Sequence, residues 1–376
     1  MSGRPSFTLG IEEEYLIVET DSRQLVREPP GDFLAACNEL LGDQVTGEYL
    51  QCQIEVGTRP HRTVGEAVTD LTALRRGVRE TAAKFGFAPI AASTHPFSQW
   101  RDQTHTRRER YDMLRADLGQ AARRMLICGM HIHVGIEDDD LRIDLMNQAA
   151  YFLPHLLALS CSSPFWQGED TGLASYRLTV FDALPRTGLP DAVESHAEYR
   201  RLVDQLVAVG SIEDATKIWW DIRPSEKFPT LEQRITDVCG RVRDAGVIAA
   251  LYQSVIAFLY RLKCQNQRWR VYPNTLLMEN RWRAQRYGIS DRLIDHGRNA
   301  MTQFSDLAEE FIEIVGPDAE ALDCKRELVQ VRRIVAEGTS ADRQRRVFRE
   351  ALAAGASERE ACVAVVDQLV ADFCVD

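Results

Sequence analysis

Gly10-Ile-Glu-Glu-Glu-Tyr15 places three successive carboxylates in an extended, apolar-flanked run. Adjacent like charges weaken a strand unless a cation lies near, and side chains two apart share a face. Glu12 and Glu14 therefore point together and Glu13 away. Taken alone, the run reads either as a solvated strand edge or as part of a divalent-cation site. The stretch 46–57 adds Glu48 and Glu55, seven positions apart. A regular strand would send these two to opposite faces, so both reach one site only across a bulge or break. In Gly129-Met-His-Ile-His-Val-Gly135, His131 and His133 lie two apart in an apolar strand between glycines, a pattern suited to a metal or a phosphate. Glu232 and Arg234 share strand parity and, with Arg223, give one acid and two bases, either an ion-paired strand or part of a site. The basic, aromatic run Asn280-Arg-Trp-Arg-Ala-Gln-Arg-Tyr-Gly288 reads as a nucleic-acid stripe, a solvated helix face or an anion clamp.

Elements must hold these residues. Residues 7–18 and 45–58 read as strands, with a short helix at 32–41 between them. Residues 64–85 repeat apolar side chains at Ala67, Val68, Leu71, Leu74, Val78 and Ala82, the spacing of an amphipathic helix. Further strands are expected at 87–93, 125–136, 175–182, 217–223 and 230–238. Helices are expected at 107–124 and 138–160, and nearly everything from Asp244 onward reads as helix except 269–274. Strands are adjacent in some places and separated by helices in others, which fits an α+β sheet with helices on one face better than a βαβ repeat. The expected parse is one catalytic domain over 1–376, sheet-rich to 240 and mainly helical from 241.

The chain has 376 residues, 45 Lys+Arg against 56 Asp+Glu and a net charge of −11, with 45% apolar residues. That composition excludes disorder as the main state and makes nucleic acid and anionic membrane poor partners. Nine cysteines without a CxxC pair point to reduced packing residues. The first residues lack the apolar core of a signal peptide, and no run approaches the length of a membrane span, so a cytoplasmic protein is expected. There is no GxxxxGK[ST], no GxGxxG opening a helix and no GxSxG. A nucleotide's phosphates would have to be held by something else.

Six ordered motifs together resemble the carboxylate–amine ligases of the YbdK type, the type 2 glutamate–cysteine ligase family of the glutamine-synthetase-like superfamily. They are Thr8–Tyr15, Gly47–Glu55, Gly129–His133, Ser163–Gly168 with Gly172–Arg177, Asp221–Arg223 and Glu279–Gly288. The resemblance implies a curved antiparallel sheet with helices on its outer face, binding ATP and two or more Mg²⁺ or Mn²⁺ ions. It also implies roles. Glu14, Glu48 and Glu55 would hold one ion, and Glu12, His131 and Glu232 another. His133, Arg223 and Arg234 would neutralise phosphate, and Arg177, Arg281, Arg283 or Arg286 would bind substrate carboxylates. The implied reaction is amide formation through an acyl phosphate from small-molecule carboxylate and amine substrates, in a homodimer. The alternatives are a metal- and ATP-dependent phosphotransferase of the same superfamily and a non-catalytic metabolite-binding protein.

Overall fold

Alternation along the first strand decides how the sheet is faced. In β1 (Leu9–Glu19) the side chains of Leu9, Ile11, Glu13 and Tyr15 are buried, while Gly10, Glu12 and Glu14 stay partly open. The computed structural model describes residues 3–375. β1 lies inside a seven-stranded sheet with β2 (Val45–Gly47), β3 (Gln53–Gly57), β4 (Phe87–Ile90), β5 (Met130–Gly135), β6 (Ile222–Pro224) and β7 (Thr230–Gln233). The order is β6-β7-β5-β1-β3-β2, and every pairing is antiparallel. β5 pairs with the first half of β1 and β4 with the second. This is the expected α+β class, with helices on one face and a cavity on the other.

The helix Val64–Lys84 starts at a capping box: the Thr63 hydroxyl accepts from Glu66 N–H and the Glu66 carboxylate accepts from Thr63 N–H. Its apolar stripe, Ala67, Leu71, Leu74, Val78 and Ala82, is buried as the spacing requires. Beside it runs Val242–Cys264, whose most apolar window has a mean hydropathy of 1.5. By length and composition this helix could cross a membrane, which corrects the expectation that no segment approaches that length. Yet 83% of that window is buried inside the fold, where it packs on Val64–Lys84, Phe304–Ala321 and β5. One hydrophobic cluster runs from Phe7 to Phe373 and joins the sheet to the C-terminal helices.

Glu13, turned away from the cavity, is not solvated. It is fully buried, and its carboxylate accepts from Arg75 Nε at 2.8 Å, Arg75 Nη2 at 2.7 Å and the Tyr15 hydroxyl at 2.6 Å. Arg75 also donates to the carbonyls of Cys239, Gly240 and Phe373, so one guanidinium ties sheet, helix and C-terminus together.

Several elements depart from expectation. Residues 45–58 are not one extended run but the hairpin β2–β3, with Glu48 in its turn. Residues 175–182 contain the helix Arg177–Phe181, where the β-favouring Leu-Thr-Val lost to tertiary context. The stretch 138–160 is two helices, Asp139–Ala149 and Leu153–Ser160, parted by a 3₁₀ turn next to Pro154. The hairpin Arg292–Asp295/Ala300–Gln303 interrupts the helical C-terminal portion.

Removing one partner of a buried, hydrogen-bonded ion pair leaves the other charge stranded at about 3–5 kcal/mol. Glu13→Gln should therefore lower the unfolding free energy obtained from guanidinium chloride titration by an amount of that order. A shift no larger than that of an exposed-site substitution would show that the pair does not brace the fold.

Candidate active site

Register brings the polar residues together. Across β1 and β5, Glu12 is directly opposite His131; across β1 and β3, Glu14 is opposite Glu55; across β5 and β7, His133 is opposite Glu232; across β6 and β7, Arg223 is opposite Glu232. The turn between β2 and β3 supplies the break that Glu48 needs to join Glu55. Strap residues fix that turn: Thr106 N–H donates to the Tyr49 carbonyl at 2.8 Å and its hydroxyl to the Glu48 carbonyl at 2.6 Å. All nine of these acids, histidines and arginines, with Arg177 included, line one cavity of about 460 Å³.

Within it the ligating atoms form two groups. One oxygen each of Glu14, Glu48 and Glu55 lie within 4.8 Å of one another, and so do one atom each of Glu12, His131 and Glu232. Among the described residues, no arginine, lysine or histidine forms an ion pair with Glu14, Glu48 or Glu55. Burial, then the Glu48 charge, pushes Glu14 up to about 7. Burial and the charges of Glu12, Glu48 and Glu14 hold Glu55 well above the usual carboxylate range. The second group differs. Burial would raise Glu12 and Glu232, but His131 and His133 lower the first and Arg234 and Arg223 the second. Burial and the Arg234 charge bring His131 down to about 4. His133, also buried, is nevertheless raised by Glu12 and Glu232.

The cations are held as tightly. Glu232 accepts from Arg223 Nε at 3.0 Å and Nη2 at 3.2 Å, and from Arg234 Nη1. Arg223 Nη1 donates to the carbonyls of Thr216 and Ile218. Arg177 donates to the carbonyls of Arg234 and Ile235 at 3.1 and 3.2 Å. Gly129 is required beneath it: a Cβ there would lie 2.5 Å from Arg177 Nη2, and the Gly129 N–H donates to Glu14 at 2.7 Å.

The donor set fits hard divalent cations. Mg²⁺ takes carboxylate oxygens, and an imidazole in the second group also suits Mn²⁺. His133 donates or accepts through Nδ1 with the Thr230 hydroxyl at 2.9 Å, while its buried Nε2, 3.5 Å from Glu12 Oε1, has no hydrogen-bond partner among the described residues.

Of the four arginines offered for substrate carboxylates, the structure brings only Arg177 to the cavity. Arg281 is buried against Asp182 and Asp221, Arg283 pairs with Asp291, and Arg286 donates to the Gly172 carbonyl. Conversely, Tyr49, Arg108, Lys217 and Trp219 line the cavity, although spacing and charge do not single them out. Lys217, a buried lysine before Ile-Trp-Trp, carries the clearest sequence signal of the four. Among the described residues no cysteine lines the cavity; seven of the nine are buried as packing residues, whereas Cys264 is exposed and Cys374 half-buried.

Glu14 and Glu55 have folded-state values raised above the ordinary 4.5. Their protonated forms favour the fold fully below that value, and this contribution is lost as pH rises through the raised values, about 7 for Glu14. Metal-free Glu55→Gln should accordingly melt above wild type by about 2 °C or more at pH 8, and by less at pH 5. Mg²⁺ should raise the wild-type melting temperature more at pH 8 than at pH 5. An equal gain at both would contradict a carboxylate cluster relieved by the cation.

Known proteins resemble this chain in sequence and in fold. The description of glutamate-cysteine ligase family 2 matches residues 8–364. A Rhodospirillum rubrum protein named "Putative glutamate--cysteine ligase 2" is 56% identical over 371 residues, covering 98% of this chain and 95% of its own. A Paracoccus denitrificans protein of the same name is 50% identical over 373 residues, 99% of each. The fold is similar to that of the Francisella tularensis glutamate–cysteine ligase solved in complex with AMP, with TM-score 0.67, 13% identity and coverage of 97% of this chain and 88% of that one. It is also similar to a bifunctional glutathione synthetase of Pasteurella multocida, with TM-score 0.69, 14% identity and coverage of 97% and 52%. The chain belongs to glutamate-cysteine ligase family 2.

Proposed function

We propose that this carbon–nitrogen bond-forming ligase activates a carboxylate with ATP as an acyl phosphate and passes the acyl group to an amine. The observation that carries the reading is the pairing, in one cavity, of two three-ligand groups with the cations Arg177, Arg223 and Arg234.

A carboxylate resists amine attack because the leaving group would be oxide. Transfer of the γ-phosphoryl group to a carboxylate oxygen gives an acyl phosphate and ADP. The amine nitrogen then bonds to the acyl carbon, the C–O bond to phosphate breaks, and the amide, phosphate and a proton are released. Such transfer is chiefly positioning and charge neutralisation and needs no nucleophilic side chain. Glu14, Glu48 and Glu55, and separately Glu12, His131 and Glu232, would hold Mg²⁺ or Mn²⁺, which supplies positive charge for the substrate carboxylate and the ATP phosphates. Arg223 and Arg234 face the transferring phosphoryl group, fixed by Glu232 between them. His133 offers Nε2 to the same phosphate. Arg177, held on the Arg234 and Ile235 carbonyls, is the one of the four arginines offered for the substrate carboxylate that lines the cavity. The names of the relatives make glutamate and cysteine the first pair to test. The same reading takes one catalytic unit, a cytoplasmic homodimer, and no nucleic-acid or membrane partner.

A phosphate-release screen of amino acids crossed with amines, with Mg-ATP or Mn-ATP, tests the reaction. Turnover should require both a carboxylate and an amine and should vanish in excess EDTA. Undiminished product in EDTA, or phosphate transfer indifferent to amine, would sink it.

Substitutions separate the roles. Glu14→Gln should abolish turnover while the protein stays folded. His131→Ala should recover part of its activity in excess Mn²⁺, whereas His133→Ala should not. Equal rescue of both, or of neither, would contradict the division between a cation group and a phosphate contact.

A further inference from the structure

The arginine-rich run at 280–288 resembles a substrate clamp in sequence, yet its most buried arginine faces inward. Arg281 is 2% exposed and uses every guanidinium nitrogen on two carboxylates. Nε donates to Asp221 Oδ2 at 2.7 Å, Nη1 to Asp182 Oδ2 at 2.7 Å, and Nη2 to both Asp182 Oδ1 at 2.8 Å and Asp221 Oδ1 at 3.2 Å.

The two aspartates sit at informative places. Asp182 ends the helix Arg177–Phe181, whose first residue is the cavity arginine. Asp221 immediately precedes β6, which carries Arg223, and its carbonyl accepts from Arg234 N–H at 2.7 Å. Arg177 in turn donates to the Arg234 carbonyl. The helix Asn274–Tyr287 that bears Arg281 is itself braced on the Arg177 segment, since Gln285 Nε2 donates to the Thr179 hydroxyl and the Gln285 carbonyl accepts from Ala174 and Ser175 N–H. Planar bidentate contacts fix direction as well as distance, and an ammonium cannot reproduce two of them at once.

We propose that Arg281 is a positioning residue that sets the spacing of Arg177, Arg223 and Arg234 through Asp182 and Asp221. It touches no substrate. The inference rests on the phosphate role given to Arg223 and Arg234 above, and it replaces the substrate contact that the sequence suggests for Arg281.

The test is titration calorimetry of full-length wild type, Arg281→Lys and Asp182→Asn with the Mg²⁺ complexes of ADP and of the non-hydrolysable analogue AMPPNP, beside thermal melts. Asp182 is partly open, so Asp182→Asn spares the fold if Arg281→Lys does not fold. Arg261→Lys, which disturbs the Arg261–Asp318 pair outside the cavity, serves as a destabilised control. Wild type should prefer the γ-phosphate-bearing analogue. Arg281→Lys and Asp182→Asn should reduce that preference at least fivefold, and Arg261→Lys should lower the melting temperature without changing it. An unchanged preference in both Arg281→Lys and Asp182→Asn, or an equal loss in the control, would overturn the positioning role alone. A wild type that binds neither complex, or both alike, would overturn the phosphate reading and this inference with it.

Discussion

Three carboxylates forced to share a few ångströms are the constraint around which the molecule is arranged. Glu14, Glu48 and Glu55 crowd one another in one cavity, and burial first, then the neighbouring carboxylate charges, pushes Glu14 and Glu55 toward the neutral form. A fold keeps such a cluster only if the rest of the structure over-determines it. Here the determination is geometric. Glu14 is pinned by the Gly129 amide and by cross-strand pairing with Glu55, and Glu48 by the strap at Thr106. On the function proposed here a divalent cation would release that strain, so affinity for the ion and instability without it would have one source.

The opposite face of β1 supplies the stability that this arrangement spends. One residue along the strand, Glu13 is as buried as any group in the protein, but it is fully satisfied by Arg75 and Tyr15. The period of two thus divides three consecutive glutamates between unlike tasks, two facing the cavity and one locking sheet to helix and C-terminus. The groups that hold the cavity arginines follow the same logic. Arg177, Arg223 and Arg234 are held by carbonyls, by Glu232 and, through Asp182 and Asp221, by Arg281, so their charges are aimed before any ligand arrives.

Much of this was legible in the sequence because strand parity is a strong rule. The pairs Glu12/Glu14, His131/His133 and Glu232/Arg234 each reach the one cavity, and the odd interval between Glu48 and Glu55 lets both join it only across a break, although the hairpin turn that provides it was not legible in a stretch that reads as one extended run. What stayed hidden depends on partners far along the chain. Nothing near Arg281 announces that its carboxylates lie 60 and 99 residues away, so its charge reads as available to substrate. The helix Arg177–Phe181 is hidden for a related reason: its residues favour strand locally, and contacts with the Asn274–Tyr287 helix override them. Arg108 and Tyr49 enter the cavity only because the strap at 104–106 folds back on the Glu48 turn.

The claim at the centre of the account is that the two three-ligand groups are cation sites. Counting bound Mn²⁺ by electron paramagnetic resonance, in the presence of saturating ADP, addresses it without knowledge of either acyl or amine substrate. The account predicts two ions per chain, one for each group, falling to one in Glu55→Gln. A wild-type chain that binds no Mn²⁺ saturably, or a Glu55→Gln chain that still binds both ions, would contradict it.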